Sequence, residues 1–276
     1  MENALNLQLA KALQNVRENG PLIHNITNYV TVNDVANIVL AVGASPIMAD
    51  DAAEAGDIAA MAQALVLNIG TLNARTVDSM ILAGQSANRA GVPVVLDPVG
   101  AGASALRNET VKRILAEVKL AVLRGNLSEI SYIAGEQSNT KGVDAGEADE
   151  GNDAVAIAKK VAKTLGCVVA ITGKEDVICD GTRVVKIQNG VALLSKVTGT
   201  GCMTSGLVGS YLGANDAMTA AIAGVATMGL AGELAYETVL AKNGTVGTGS
   251  FHMAIIDAVS GLTAQQMEQR AKCYED

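Results

Sequence analysis

The stretch Pro93-Val94-Val95-Leu96-Asp97-Pro98-Val99-Gly100-Ala101-Gly102 decides the fold of this chain. Its apolar run is short, ends in a single aspartate and is followed at once by glycines. A short, uninterrupted apolar run indicates a strand that is buried on both faces, as in a parallel sheet covered by helices. Asp97 then lies at the carboxyl end of that strand, which is where open α/β sheets bind ligands.

The same pattern recurs on both sides of this stretch. Short apolar runs alternate with helical periods, which predicts an α/β fold with a mostly parallel central sheet flanked by helices. The predicted strands are Leu22-Ile26, Ser45-Met48, Leu65-Ile69, Pro93-Asp97, Ala121-Arg124 and Val168-Thr172, and the predicted helices include Val32-Val42, Ala74-Ala90, Thr110-Lys119 and Asp153-Leu165. No linker interrupts the pattern, so we predict one domain over residues 1–276.

The pattern changes after Thr172. Two turn sequences, Asp180-Gly181 and Asn189-Gly190, separate three short runs and predict antiparallel hairpins at one edge of the sheet. These runs are Asp176-Cys179, Arg183-Gln188 and Ala192-Ser195, and three helical stretches complete the chain. The acidic, glycine-containing segment Asn139-Asp153 is predicted to be a loop, which either closes over a site or is simply solvated.

Composition narrows the classes of partner. Charged residues make up 17% of the chain, below the roughly 25% of an average soluble protein, which favours a homo-oligomer that covers part of its surface. Few aromatic residues (five Tyr, one Phe) and a net charge of -8 argue against nucleic acid. The longest uncharged apolar run, Ala217 to Gly232, has 16 residues, shorter than the ~20 that span a bilayer, so no membrane span is predicted.

Cysteine usage predicts a reducing compartment. Cys167, Cys179, Cys202 and Cys273 form no CxxC pair and have no histidine at metal-ligand spacing. The chain also begins without a basic segment followed by an apolar one, which a secretory signal would require. A cytoplasmic location is therefore expected.

A second stretch, Lys196-Val197-Thr198-Gly199-Thr200-Gly201-Cys202-Met203-Thr204-Ser205, leads into a long helical region of small residues. Glycines let the main chain approach a ligand, and the unpaired amides and dipole of a helix start favour an anion such as phosphate. The hydroxyls of Thr198, Thr200 and Thr204 can add donors. An alternative that the sequence leaves open is a tight turn with Thr200 as the N-cap residue.

Charged residues follow neighbouring strands at one edge of the predicted sheet. A hydrated Mg²⁺ needs only one or two carboxylates, which Asp97 and Glu129 can supply, and Arg124 can pair with phosphate oxygens. Taken singly, Asp97 also fits a strand-end turn and Glu129 a favourable charge near a helix N-terminus. Together with the glycine-rich helix start, the three residues indicate phosphoryl transfer, in which positioning and charge neutralisation supply most of the catalysis.

Other nucleotide and metal motifs do not fit. Gly199-Thr200-Gly201 has Thr204 where a dinucleotide fingerprint has its third glycine, and Glu175 follows Gly173-Lys174 where a Walker A loop has Ser or Thr. The two histidines, His24 and His252, lie in no zinc pattern.

Seven motifs between about Pro21 and about Ala258 are shared with one family. They are Pro21-Leu22-Ile23-His24-Asn25-Ile26-Thr27-Asn28, Gly43-Ala44-Ser45-Pro46-Ile47-Met48-Ala49, Leu67-Asn68-Ile69-Gly70-Thr71-Leu72, Asp97-Pro98-Val99-Gly100-Ala101-Gly102, Arg124-Gly125-Asn126, Lys141-Gly142-Val143-Asp144-Ala145-Gly146-Glu147 and Val197-Thr198-Gly199-Thr200-Gly201-Cys202. Through these residues the chain resembles the hydroxyethylthiazole kinase family, a thiamin-salvage family of the ribokinase-like fold.

The resemblance implies transfer of the γ-phosphoryl group of ATP, with Mg²⁺, to the primary alcohol of 4-methyl-5-(2-hydroxyethyl)thiazole. It also implies a homotrimer with sites between subunits. By matching positions, the thiazole would contact Met48, Gly199 and, as an additional pocket residue, Asn28; ATP would contact Arg124 and Thr172; and Mg²⁺ would be held by Asp97 and Glu129, directly or through water. Taken by itself, Met48 also fits an ordinary core position.

Residues 199–202 are the predicted catalytic segment. Related kinases of this fold carry an aspartate as the proposed base where this chain has Cys202, and a thiol with a pKa near ~8.5 is mostly protonated at neutral pH. We therefore predict that the main-chain amides of residues 199–202 (Gly199, Thr200, Gly201 and Cys202) hold the transferred group and contribute more than base catalysis by the Cys202 thiol.

Two alternatives remain open at this stage. One is a kinase of the same fold for another small heterocyclic alcohol, of the hydroxymethylpyrimidine or pyridoxal type. The other is a non-catalytic nucleotide-binding module, which the joint presence of Asp97, Glu129, Arg124 and the 199–202 turn disfavours.

Overall fold

One nine-stranded sheet runs through the part of the chain that the computed structural model describes, residues 2–136 and 153–276. The strands follow the order β2-β1-β3-β4-β5-β6-β7-β8-β9. Those from β1 to β6 are parallel and the last three are antiparallel, as the change of pattern after Thr172 predicts. Their bounds are β1 Leu22–Ile26, β2 Ser45–Ile47, β3 Ala64–Asn68, β4 Val94–Asp97, β5 Val122–Asn126, β6 Val168–Thr172, β7 Asp176–Cys179, β8 Val184–Ile187 and β9 Cys273–Glu275.

Helices cover both faces of the sheet. The helices are α1 Glu2–Asn19, α2 Val32–Val42, α3 Ala55–Met61, α4 Ala74–Ala90, α5 Ala105–Glu117, α6 Leu127–Ile133, α7 Ala154–Leu165, α8 Thr200–Leu212, α9 Ala217–Asn243, α10 Thr248–Gly261 and α11 Ala264–Arg270. One hydrophobic core lies under α1, α2 and α8 to α11, and a second lies under α3 to α7. Because both faces are buried, the parallel strands consist of continuous apolar runs. The mostly parallel α/β fold predicted from the sequence is confirmed.

The sheet directs several polar side chains toward α8. Side chains alternate between the faces of a strand, so residues two apart share a face. Val66, Val95, Val122 and Ala170 all belong to the core beneath α8 and α9. The residues two positions further along, at or near the strand ends, are Asn68, Asp97, Arg124 and Thr172. These four therefore point to the same face at the carboxyl end of the sheet.

Some predicted elements were wrong. Ala192-Ser195 is not a strand, because Ala192–Lys196 forms a 3-10 helix. The third antiparallel strand is β9, at the opposite end of the chain, where it pairs with β8. Four helices rather than three follow the 3-10 helix. Most of the predicted loop 139–153 and the motif at residues 141–147 lie outside the described residues; Asp153 itself is the N-cap of α7.

The longest helix, α9, is a core element. It has 27 residues and is the one helix, within residues 2–136 and 153–276, that is long and apolar enough by composition to cross a membrane. In its most apolar window, however, 89% of the residues are buried inside the fold. Its apolar surface is already covered by α8, α10 and the sheet.

Burial of Asp176, the first residue of β7, makes a prediction about stability. Burial raises the pKa of this carboxyl to about 7, and a hydrogen bond from the Gly173 amide (2.9 Å) opposes the shift. An unfolded aspartate titrates near ~4, so the folded state holds a proton that the unfolded state releases between these pH values. The free energy of unfolding therefore falls as pH rises through this window.

We expect Asp176→Asn, which keeps the acceptor and removes the charge, to remove the contribution of Asp176 to that fall. Relative to the parent, the variant should gain roughly 2–4 kcal/mol between pH 4.5 and pH 8. Urea unfolding at several pH values measures the gain, with Asp57→Asn at an exposed position as the control. A difference between parent and variant that does not change with pH contradicts the prediction.

Candidate active site

Arg124 joins four elements at the carboxyl end of the sheet. Its Nη2 donates to Thr172 Oγ1 on β6 at 2.6 Å, and its Nη1 donates to the Gly201 carbonyl in the first turn of α8 at 3.1 Å. The same Nη1 lies 3.5 Å from Asp97 Oδ2 on β4. The structure therefore brings Thr172, Asp97 and Gly201, one residue each of the predicted ATP-binding, metal-binding and catalytic sets, around one guanidinium group.

Asp97 is buried, and its two carboxylate oxygens differ in their hydrogen bonding. Its Oδ2 accepts hydrogen bonds from Ser205 Oγ (2.7 Å) and Asn68 Nδ2 (2.8 Å), in addition to the contact with Arg124. Its Oδ1 has no partner among the described residues. Burial raises the pKa of Asp97, while Arg124, Ser205 and Asn68 oppose the rise.

Glu129 is held by the main chain. It is the third residue of α6 and forms a capping box with Asn126, whose side chain accepts from the Glu129 amide at 2.9 Å. The two carboxylate oxygens accept from the amides of Gly100 (2.7 Å) and Asn126 (2.8 Å). Burial, and then the negative charge of Asp97, raise the pKa of Glu129 to about 7.

The donor set fits a hydrated Mg²⁺. Within the described part of the chain, no group of three or more His, Cys, Asp or Glu side chains is placed to hold a metal ion. Mg²⁺ differs from most protein metals in keeping several waters and using one or two carboxylates. Asp97 and Glu129 are buried, mutually repelling carboxyls, and Asp97 Oδ1 is unpartnered. A cation would satisfy that oxygen and favour the ionised form of both groups.

The turn before α8 presents main-chain amides. Gly199 is the N-cap residue of α8, with φ 88°, so the alternative with Thr200 as N-cap is wrong. The first helical hydrogen bond runs from the Met203 amide to the Gly199 carbonyl, which leaves the amides of residues 200–202 without a partner inside the helix. The Thr200 hydroxyl donates to the carbonyls of residues 194 and 197, and the Thr204 hydroxyl to that of Thr200.

Glycine is required at residue 199, and a larger residue at 201 would crowd Arg124. A β-carbon on Gly199 would lie 2.8 Å from Thr31 Cγ2, and its positive φ disfavours other residues. A β-carbon on Gly201 would lie 3.0 Å from Arg124 Nη1. A side chain at residue 201 would therefore require the Arg124 guanidinium to shift by a few tenths of an ångström.

Cys202 lies in the second half of this turn and is half-buried. Asn28 Nδ2 donates to its sulfur at 3.1 Å. Burial and the charge of Asp97 raise the pKa of the thiol, and hydrogen bonds from Thr31 and Asn28, together with Arg124, oppose the rise. The neutral thiol is therefore the resting form at neutral pH, as expected from the sequence.

Met48 lies next to β2, and β1, β3 and β4 separate β2 from the strand that carries Arg124. It follows β2 directly and is half-buried. The next residue, Ala49, is fixed by a hydrogen bond of 2.6 Å between its carbonyl and Nε2 of the buried His24. Burial lowers the pKa of His24, so the ring is neutral and its Nε2–H donates.

Three residues of this region were missed by sequence reasoning. Asn68 ends β3 in the same way that Asp97 ends β4, so the strand-end rule was enough to find it. Ser205 lies one helical turn beyond Gly201, and nothing in the sequence distinguishes it from a core serine. Arg107 of α5 donates to the carbonyls of Ile69, Gly70 and Val99, and so joins the loops that follow β3 and β4.

Comparisons with known proteins agree on one family. The model of the hydroxyethylthiazole kinase family matches residues 13–265. The hydroxyethylthiazole kinase of Ruminiclostridium cellulolyticum is 60% identical over 97% of both chains, and that of Clostridium beijerinckii is 56% identical over the full length of both.

One solved structure supports the family, and another, at low sequence identity, supports only the fold. The hydroxyethylthiazole kinase structure from Pyrococcus horikoshii OT3 has a TM-score of 0.87 at 37% identity, covering 97% of this chain and 98% of that one. A Staphylococcus aureus pyridoxal kinase, at 14% identity and TM-score 0.56 over 76% of this chain and 87% of its own, shares the fold alone. The fold is therefore ribokinase-like, and the chain belongs to the hydroxyethylthiazole kinase family.

Proposed function

We propose that this kinase transfers the γ-phosphoryl group of ATP to the primary hydroxyl of 4-methyl-5-(2-hydroxyethyl)thiazole at the Arg124-centred site, giving the thiazole phosphate for thiamin diphosphate synthesis. The observation that carries this assignment is the direct contact of Arg124 with Asp97, Thr172 and Gly201. It joins a phosphate-binding cation, a metal-binding carboxylate and an anion-binding helix start within one cluster.

The main chain and Arg124 bind the transferred group. The amides of residues 200–202 point away from the helix and combine with its dipole to favour negative charge. Arg124 and Thr172 contact the ATP phosphates. Because the phosphoryl group passes through a loose transition state with charge on its equatorial oxygens, fixed donors at this position stabilise the transition state.

Asp97 and Glu129 hold Mg²⁺, directly or through water. The chemistry that Mg²⁺ would supply when bound there is neutralisation of phosphate charge. The chain's own contribution is to keep Asp97 oriented by Ser205 and Asn68, so that Oδ1 stays free.

The acceptor alcohol is placed by the other half of the site. Met48, Gly199 and Asn28 line the thiazole pocket, and the polarisable Met48 thioether suits a flat sulfur heterocycle. Cys202 orients the hydroxyl, whose oxygen forms the new bond to phosphorus while the bridging oxygen leaves with ADP. The hydroxyl proton departs late, to an oxygen of the transferred phosphoryl group or to water, since a loose transition state needs little prior deprotonation.

Incubation with ATP, Mg²⁺ and a panel of alcohols tests the assignment. Mass detection should show the monophosphate of the hydroxyethylthiazole at a kcat/KM at least about tenfold above that for hydroxymethylpyrimidine or pyridoxal, the difference expected from one or two lost pocket contacts. Preference for either of the other alcohols reassigns the substrate. ATP binding without any phosphorylated product favours a non-catalytic module.

Substitutions at residues 201 and 202 separate amide stabilisation from base catalysis. We expect Gly201→Ala to lower kcat about 10²-fold or more, because the new β-carbon displaces Arg124 from the transferred group. Cys202→Ser should lower kcat only about tenfold, because a hydroxyl can also orient the alcohol. Steady-state kinetics measure both effects.

The matched control for Gly201→Ala is Gly249→Ala. Gly249 is likewise the second residue of a helix, α10, and a β-carbon there meets nothing within 4 Å. Its kcat should equal that of the parent. Total loss of activity in Cys202→Ser with little loss in Gly201→Ala reverses the assignment and makes Cys202 the essential base.

A homotrimer with sites at the subunit interfaces completes the proposal, together with a cytoplasmic location supported by four free cysteines. Large apolar side chains are exposed beside the site: Tyr29 (79%) and Val30 (57%) follow Asn28 directly. Met253 (62%) is next to His252, whose Nε2 lies 3.1 Å from Asp34 of α2. Apolar surface of this kind, in a chain of low charge, favours burial against a second copy.

Val30→Asp tests the oligomer and its link to activity. A charge buried in the interface should dissociate the trimer, so sedimentation velocity should change from three times the chain mass of 28.1 kDa toward one. Activity should be lost with it, because the interfacial site is incomplete. Leu106→Asp is the control, since Leu106 is equally exposed (54%) on α5 in the other helical layer. A parent protein that sediments as a monomer overturns the proposal.

A further inference from the structure

Two asparagines connect Cys202 to Asp97. Asn28 Nδ2 lies 3.1 Å from the Cys202 sulfur and 3.0 Å from Asn68 Oδ1. Asn68 Nδ2 in turn donates to Asp97 Oδ2 at 2.8 Å. Both amides are buried, with exposed fractions of 4% for Asn28 and 1% for Asn68. An unbroken line of hydrogen bonds therefore runs from the acceptor half of the site to the metal half.

The main chain fixes the direction of this line. The Gly70 amide donates to Asn68 Oδ1 at 2.9 Å, and the Thr31 amide donates to Asn28 Oδ1 at 3.2 Å. A backbone N–H cannot become an acceptor, so each side-chain oxygen must face its backbone donor. The nitrogen of Asn68 then has to face Asp97, and the nitrogen of Asn28 has to face Cys202 and Asn68.

Each end of the line has a chemical consequence. At Asp97, Asn68 shares Oδ2 with Ser205 and Arg124, which leaves Oδ1 as the free oxygen. At Cys202, an N–H aimed at the sulfur favours the ionised thiol, as Arg124 also does, while burial and Asp97 oppose it. Asn68 can act on both ends of the line. It donates directly to Asp97, and it accepts from Asn28, whose Nδ2 also donates to Cys202.

We propose that Asn68 is a positioning residue for phosphoryl transfer, which orients the Asp97 carboxylate and, through Asn28, the hydrogen bond received by Cys202. The catalytic meaning of this inference rests on the proposed function, but the network itself does not. Its two arms predict different responses to substitution, because only one of them passes through Asn28.

The test uses Asn28→Ala, Asn68→Ala and the double variant of the full chain, without ligand. The pH dependence of alkylation by iodoacetamide gives the thiol pKa of Cys202, and peptide mass spectrometry separates it from the three buried cysteines. We expect each single variant to raise this pKa by roughly half a unit to one unit, the effect of losing one hydrogen bond to the charged form. In the Asn28→Ala background, Asn68→Ala should no longer raise it, because only the indirect effect through the charge of Asp97 remains.

Steady-state kinetics test the second arm. Asn68→Ala should lower kcat about tenfold or more with smaller changes in both KM values, and it should do so even in the Asn28→Ala background, because Asp97 loses its orientation in either case. Asn25→Ala is the matched control: Asn25 is also buried on a neighbouring strand, but its Nδ2 donates to the Ile23 carbonyl within β1. If Asn68→Ala does not fold, Asn68→Ser replaces it in both experiments.

The outcomes separate the network from the function. The inference is overturned if Asn68→Ala does not shift the Cys202 pKa, or shifts it equally with and without Asn28. An unchanged kcat in Asn68→Ala also overturns it. Asn25→Ala with the same effects makes the loss a general one of core packing and also overturns it. If the Cys202 pKa shifts as expected but the parent protein phosphorylates no alcohol, the network stands and the proposed function is rejected.

Discussion

The buried contact between Arg124 and Asp97 is the constraint on which the rest of the site depends. Asp97 is 1% exposed and the Arg124 side chain 12%, so neither charge is solvated well enough to be stable alone. Removing one partner of such a pair typically costs about 3–5 kcal/mol, because the other charge stays buried. The same guanidinium reaches β6 at Thr172 and α8 at Gly201, so an interaction needed to bury Asp97 also sets the position of the helix start.

This arrangement is incompletely neutralised. Asp97 and Glu129 both have raised pKa values, and the charge of Asp97 is one cause of the shift at Glu129. One arginine faces two buried carboxyls, and a core built for stability alone would avoid that excess. Under the proposed function, a divalent cation bound between these carboxyls would favour their ionised forms. The cost in stability and the affinity for that cation would then have the same electrostatic origin.

Much of the fold follows from the sequence because its signals are local. The bounds of β1, β6, β7, α2 and α4 coincide with the predicted ones, since each is delimited by turn residues or by a change in apolar period. The strand predicted at Ala192-Ser195 was wrong because a short apolar run has no clear period. The true partner of β8 is Cys273–Glu275, 86 or more residues away along the chain. Strand pairing at that separation is decided by the tertiary fold.

The candidate site also has residues that the sequence reveals and contacts that only the tertiary fold decides. Asp97, Arg124 and Glu129 are recognisable because charged residues at the end of a buried strand, or in the first turn of the helix that follows it, are unusual. The contacts that orient them are not recognisable, since Ser205 meets Asp97 across 108 residues and Asn28 meets Cys202 across 174. The threonine hydroxyls of the α8 turn show the limit most clearly: those of Thr200 and Thr204 donate to carbonyls. The anion binding proposed there therefore rests on the main-chain amides, whose direction depends on the backbone and on glycines that leave room for Arg124.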